Sequence, residues 1–166
     1  MLISVSGCGH QAAQATSSPK RPSDIEKSTY ILTQEPDGAV GVIVAREDFK
    51  DQDDIVLVAR IGGRKIPWIE GLSAFMVIDA AMTIVADGEE SEGALDVCMD
   101  DCCASLRADC TTLVKIVDAN GHPLPIDARE LLGVQENDMV VVKGKVQRNE
   151  DAGAFTIAGT GVYVRD

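Results

Sequence analysis

Positive charge is scarce in this chain. Fifteen Lys and Arg side chains face 27 Asp and Glu, a formal net charge of -12. Such a protein repels phosphate backbones, and nucleic-acid affinity rests heavily on releasing counterions from them, so generic DNA or RNA binding is disfavoured. Long apolar runs are missing as well. No segment reaches the roughly 18 to 20 apolar residues that span a bilayer as a helix. Histidine is limited to His10 and His122. A hydrolytic triad needs a histidine held against a nucleophile by a third group, and His122 in a Gly-His-Pro turn is a poor candidate. Neither Gly-x-Ser-x-Gly nor a phosphate-cradling glycine loop occurs. The chain therefore reads as non-enzymatic. Aromatics make up only 4%, with Trp68 the single tryptophan.

What is present suits a folded domain. The apolar share of 45% is ordinary for a globular protein, and 166 residues suffice for one domain with a real core. The first residues do not belong to it. Gly9 to Ser28 is rich in Gln, Ala, Ser, Thr and Pro, with almost no large apolar side chain, and reads as a leash. Before it, Met1 to Cys8 closes on Val5-Ser6-Gly7-Cys8. That tetrad resembles the lipobox of bacterial lipoproteins, in which the cysteine is lipidated and becomes the first mature residue. The resemblance implies lipidation at Cys8 and a domain anchored to the membrane on the periplasmic side of the cell envelope. Gly9, standing where an Asp would redirect sorting, implies the outer membrane. Export signals carry a basic start and about 7 to 15 apolar residues. Both are cut short here, so a start codon further upstream is expected. The alternative is an ordinary polar N-terminus. The expected division is 1–36 for truncated signal and leash, and 37–166 for the domain.

Ala39 to Arg46 is a short apolar run, open to strand or helix. Glu47 to Asp54 reads as a turn. Ile55 to Ile61 is a β-branched strand closed by Gly62-Gly63, and Arg64 to Gly71 a loop. Ala74 to Asp79 is the second strand and Leu113 to Asp118 the third. A brief helix follows, with Asp127 as cap, Glu130 three residues on and Gly133 as its stop. Met139 to Val146 alternates cleanly as the fourth strand, and Phe155 to Val164 is the fifth. Strand, strand, strand, helix, strand, strand is the order of the OB barrel. The expected fold is thus all-β with one short helix, a five-stranded OB-type barrel; a five-stranded sandwich is the competitor. The phrases Ile55–Gly63, Phe75–Asp79 and Val140–Lys145 resemble bacterial exported OB-fold domains, in particular an uncharacterised family of lipoprotein-like secreted proteins. That resemblance implies fold and compartment, and no activity.

Between the second and third strands lies a Cys-rich insertion at about 87–112, bearing Cys98, Cys102, Cys103 and Cys110. In an exported domain such a cluster points to disulfides. Of the pairings, Cys102 with Cys103 is disfavoured because adjacent residues form a strained ring. The alternative is a metal site, zinc or copper on thiolates with Met99 beside them, or a thiol-redox centre. Cys98-x3-Cys102 is similar in spacing alone to exported copper-handling proteins of the thioredoxin type. Separated Cys-x2-Cys pairs are absent, and so is the Cys-x-x-Cys-His of covalent haem. The acidic run from Asp87 to Asp101 lacks the calcium-loop spacing of an EF-hand and reads as a solvated loop. Arg64, Lys65, Trp68 and Glu70 form the candidate ligand surface, for a protein, a glycan, an oligonucleotide or a small molecule; the alternative is a single tryptophan lying over the barrel mouth. Lys143, Lys145 and Arg148 give a second basic spot that reads as solvated strand face.

Overall fold

The computed structural model describes residues 25–84, 96–97, 104–149 and 151–165. A single 3-10 turn, Lys27–Thr29, precedes helix α1 at Val42–Asp48 and strand β1 at Asp54–Ile61. A two-residue strand β2, Trp68–Ile69, leads into β3 at Ala74–Asp79. Two further short strands, β4 at Thr83–Ile84 and β5 at Asp96–Val97, pair in parallel. Helix α2, Ala104–Cys110, runs directly into β6 at Thr111–Ile116. Helix α3 at Ala128–Leu132, then β7 at Met139–Asn149 and β8 at Ala154–Val164, complete the chain.

Strands β1, β7, β8, β6 and β3 are hydrogen-bonded in that order, and β1 pairs again with β3, closing a five-stranded barrel. All these pairings are antiparallel except β6 with β8. Closure excludes the sandwich, and the order with α3 between β6 and β7 is consistent with the OB type. β2 adds a sixth strand on β3, where the sequence suggested only loop. Alternation drives the wrapping: Ile55, Leu57, Ala59 and Ile61 of β1 are all buried, while the residues between them are half-buried. Val140, Val142, Val146, Val114, Ile116 and Ile157 face them from the other strands in one core. Each such side chain contributes roughly 1.5–3 kcal/mol by leaving water.

The two ends of the barrel carry different helices. At one end α3 lays Ala128, Leu131 and Leu132 into the core. Asp127 caps it by accepting from Arg129 N, and Gly133 ends it at φ 72°. The reciprocal half of a capping box does not form: the Glu130 carboxylate meets Lys27 instead, at 3.4 Å. At the other end α1 buries Val42 and Ala45. The undecided run at 39–46 is therefore helical from Val42, and Glu47 and Asp48, expected in a turn, belong to that helix.

Seven residues make a marginal helix on their own, and α1 is held by side chains from the barrel. Asp79, buried at the end of β3, accepts hydrogen bonds from Ile43 N and Ala81 N, both 2.9 Å. Gly41 makes room, since a Cβ there would lie 2.5 Å from Asp79 Oδ2. At the C-terminal end Arg148 donates to the carbonyls of Arg46 and Phe49, and Arg46 donates to Thr111 O at 2.5 Å. Both guanidinium groups also lie over the Phe155 ring, 5.1 and 4.8 Å from its centroid. Cations at a helix C-terminus satisfy its orphan carbonyls and oppose the dipole.

The packed domain also begins earlier than the boundary expected at 36/37. Ile25 and Tyr30 are buried in the barrel core. Leu32 N donates to Val162 O, and Val162 N to Tyr30 O, both 2.8 Å. Val40 makes a parallel bridge to Leu57 of β1, and the Glu35 carboxylate takes two bonds from Arg165. The polar composition of 25–36 hides two anchors, Ile25 and Tyr30, too widely spaced to read as an element. Cys8 lies outside the described residues. No helix among the described residues is long and apolar enough to cross a membrane.

Candidate functional site

The four residues expected to share one ligand surface separate into two groups. Arg64 and Lys65 follow the double glycine that ends β1 and line a groove of about 620 Å³ between their own loop, β3 and α2. Ile66, Met76, Ala104, Arg107, Ala108 and Thr111 complete most of its wall. Ile66 is 72% exposed, unusually open for an isoleucine. Three cations and no acidic residue line this groove among the described residues.

Trp68 and Glu70 do not line it. Trp68 is half-buried and packs on the barrel core, its ring centroid 6.1 Å from that of Phe75. The Arg129 guanidinium lies over the indole, 5.3 Å from its centroid. Arg129 is oriented by Asp127, through bonds of 2.9 and 2.8 Å. That hydrogen-bonded pairing holds the Asp127 carboxyl below the usual carboxylate range. Glu70 lies close enough to raise the Arg129 pKa, an effect secondary to Asp127. The tryptophan therefore seals the α3 end of the barrel, the plain structural role open to a lone aromatic.

Of the cysteine cluster, Cys98, Cys102 and Cys103 lie outside the described residues. Cys110 is a free thiol, fully buried against Ile78 and Met82 at the end of α2. Its Sγ is 3.7 Å from Arg107 O. Burial pushes this thiol up, and the nearby Asp79 and Asp109 add to the effect. A thiol kept protonated in apolar surroundings is a poor metal ligand and a poor nucleophile. No group of three or more His, Cys, Asp or Glu gathers as a metal site among the described residues.

His122 is exposed in its turn, with Nδ1 3.9 Å from Asp118 Oδ1. Asp118 organises that turn by accepting from Asn120 N and His122 N. These bonds, that from His122 N above all, hold its carboxyl below the usual range.

The second basic spot also divides. Arg148 turns to the carbonyls at the end of α1, as described above. Lys143 and Lys145 stand on the outer face of β7 beside another groove, of about 550 Å³. Composition did not reveal this concavity. It comes from a register shift between Lys143 and Gly144, which pair with Gly161 and Gly159 and leave Thr160 as the extra residue. Bulges bend and twist the strand that carries them. Gly144 is required there, since a Cβ would lie 2.2 Å from Ala158 O. Two glycines spaced by one residue in β8, with a third in β7, are the sequence trace of this bend. Comparison with protein-family models, curated proteins and solved structures finds no match to this chain.

Proposed function

We propose that the barrel is of the OB type and acts as a non-catalytic binding module, held at the cell envelope by a lipid on Cys8. Its ligand site is the groove at Arg64 and Lys65. The ligand is an acidic protein segment that also offers apolar side chains. The observation that carries this reading is local: a patch of Arg64, Lys65 and Arg107 beside exposed Ile66, in a chain of net charge -12. OB barrels take ligands on the face of their second and third strands and on the loop joining the first two. Here those are β3, β6 and the 62–73 loop, where this groove lies. The overall negative charge repels long polyanions, so a short segment with a few carboxylates fits better than a nucleic acid.

A fluorescein-labelled peptide of alternating Glu and Leu is the probe. Its anisotropy should rise with the protein, the affinity should fall with salt, and Arg64→Glu should abolish binding while the circular dichroism spectrum stays unchanged. Equal binding by the wild-type protein and Arg64→Glu refutes the assignment. Fractionation of cells carrying the full chain tests the anchor: Cys8→Ser should move the protein from the membrane to the soluble fraction.

A further inference from the structure

We infer that the groove on the outer face of β1, β7 and β8 is a second, independent binding site, for a small apolar molecule that carries one carboxylate. The groove has a volume of about 550 Å³, within the roughly 300–1,000 Å³ typical of small-molecule sites. Val56, Val117 and Ala158 give it an apolar floor, and Gln52 and Gln147 place amides at its sides. The bulge at Thr160 and the close approach of Gly144 to β8 shape it in the backbone. It is therefore present before any ligand arrives, which spares the cost of ordering it.

The charges decide the class of ligand. Two cations and two carboxylates line the groove: Lys143, Lys145, Asp54 and Asp118. Asp118 is committed to the backbone of its own turn. Asp54 and Lys145 pair at 2.8 Å, and Lys145 also reaches Gln52 O at 3.3 Å. Lys143 is exposed and its ammonium makes no hydrogen bond or ion pair among the described residues, although its charge joins that of Lys145 in favouring the Asp54 carboxylate. One cation whose ammonium donors are unfilled, above an apolar floor, matches a single negative charge on an apolar body. A dianionic phosphate is a worse match, because Asp54 and Asp118 flank the same space and repel the second charge. A carboxylate accepts directly from the Lys143 ammonium, and the apolar part covers Val56 and Ala158.

The test is a titration of the full-length protein, followed by backbone amide NMR. The probes are octanoate and indole-3-acetate, their primary amides, and phenyl phosphate. The carboxylates should shift the amides of Lys143, Gly144, Ala158 and Thr160. They should bind at least about tenfold tighter than the matched amides, the factor expected for one hydrogen bond to a charged group. Lys143→Met should erase the preference for acid over amide, Lys143→Arg should keep it, and Arg64→Glu should leave it untouched. Three results overturn the inference: no shift at those four amides into the millimolar range, equal affinity for acid and amide, or tighter binding of phenyl phosphate. Because Arg64→Glu affects only the other groove, failure at one site is distinguishable from failure at the other.

Discussion

The two helices that close the barrel differ in where their end groups find partners. Helix α3 has its cap and its stop within its own stretch of chain, where Asp127 accepts from Arg129 N two residues on and Gly133 N returns to Arg129 O, and Lys27 adds one remote bond to Glu130 O. Helix α1 is fastened from a distance, by Asp79, 36 residues beyond Ile43, and by Arg148, 102 residues beyond Arg46. Local fastening makes a helix that can begin to form early. Remote fastening makes one that exists only when the barrel does.

Substitutions can break this contrast, read by urea unfolding with Trp68 fluorescence as the signal. Leu131→Ala empties the α3 seal and should cost the most, about 2–5 kcal/mol, as large-to-small changes at fully buried sites do. Asp79→Ala strips Ile43 N and Ala81 N of their acceptor and should cost about 2–3 kcal/mol, with Asp79→Asn recovering part of it. Gly41→Ala drives a methyl against Asp79 Oδ2 and should cost about 1–2 kcal/mol. In the Asp79→Ala background that cost should largely vanish, and simple additivity would show that the two residues do not act together. Asp127→Ala removes a local cap and should cost about 1 kcal/mol.

Acid sharpens the comparison with the smallest effect. Asp127 is held below the ordinary Asp value of 3.8 by its bonds from Arg129. Glu35 is likewise held below 4.5 by Arg165. Each carboxyl titrates lower in the folded protein than in the unfolded chain. Its stabilisation is complete above the ordinary value and is lost as pH falls through the lowered one. Stability should therefore decline below about pH 4.5, and Asp127→Asn should shallow that decline. An unchanged acid limb in the variant would remove Asp127 from the account.

The same contrast explains how much could be read from the sequence. Barrel strands alternate with a period that shows in a single chain, and α3 has its cap and stop beside it, so both were visible. Helix α1 was undecided because its fasteners are remote: nothing near Val42 announces Asp79 or Arg148. The packing of Trp68 could not be read from the sequence because its partners, Phe75 and Arg129, lie on other elements. Lys143 read as solvated strand face, and it is exposed on β7; the bulge beside it could not be read, because only the pairing of β7 with β8 reveals it. Arg64 and Lys65 were legible, since a double glycine followed by two cations marks an exposed loop wherever the chain runs.

The parallel contact between β6 and β8 has a bearing on when this protein can assume its shape. The last strand is the stave between β6 and β7, and residues 30–32 lean on it too. A chain lacking residues beyond Asn149 would leave the cylinder unzipped along its length and Tyr30 without a wall. A polypeptide delivered from its N-terminus onward must therefore wait, open and unhooped, until nearly all of it has emerged.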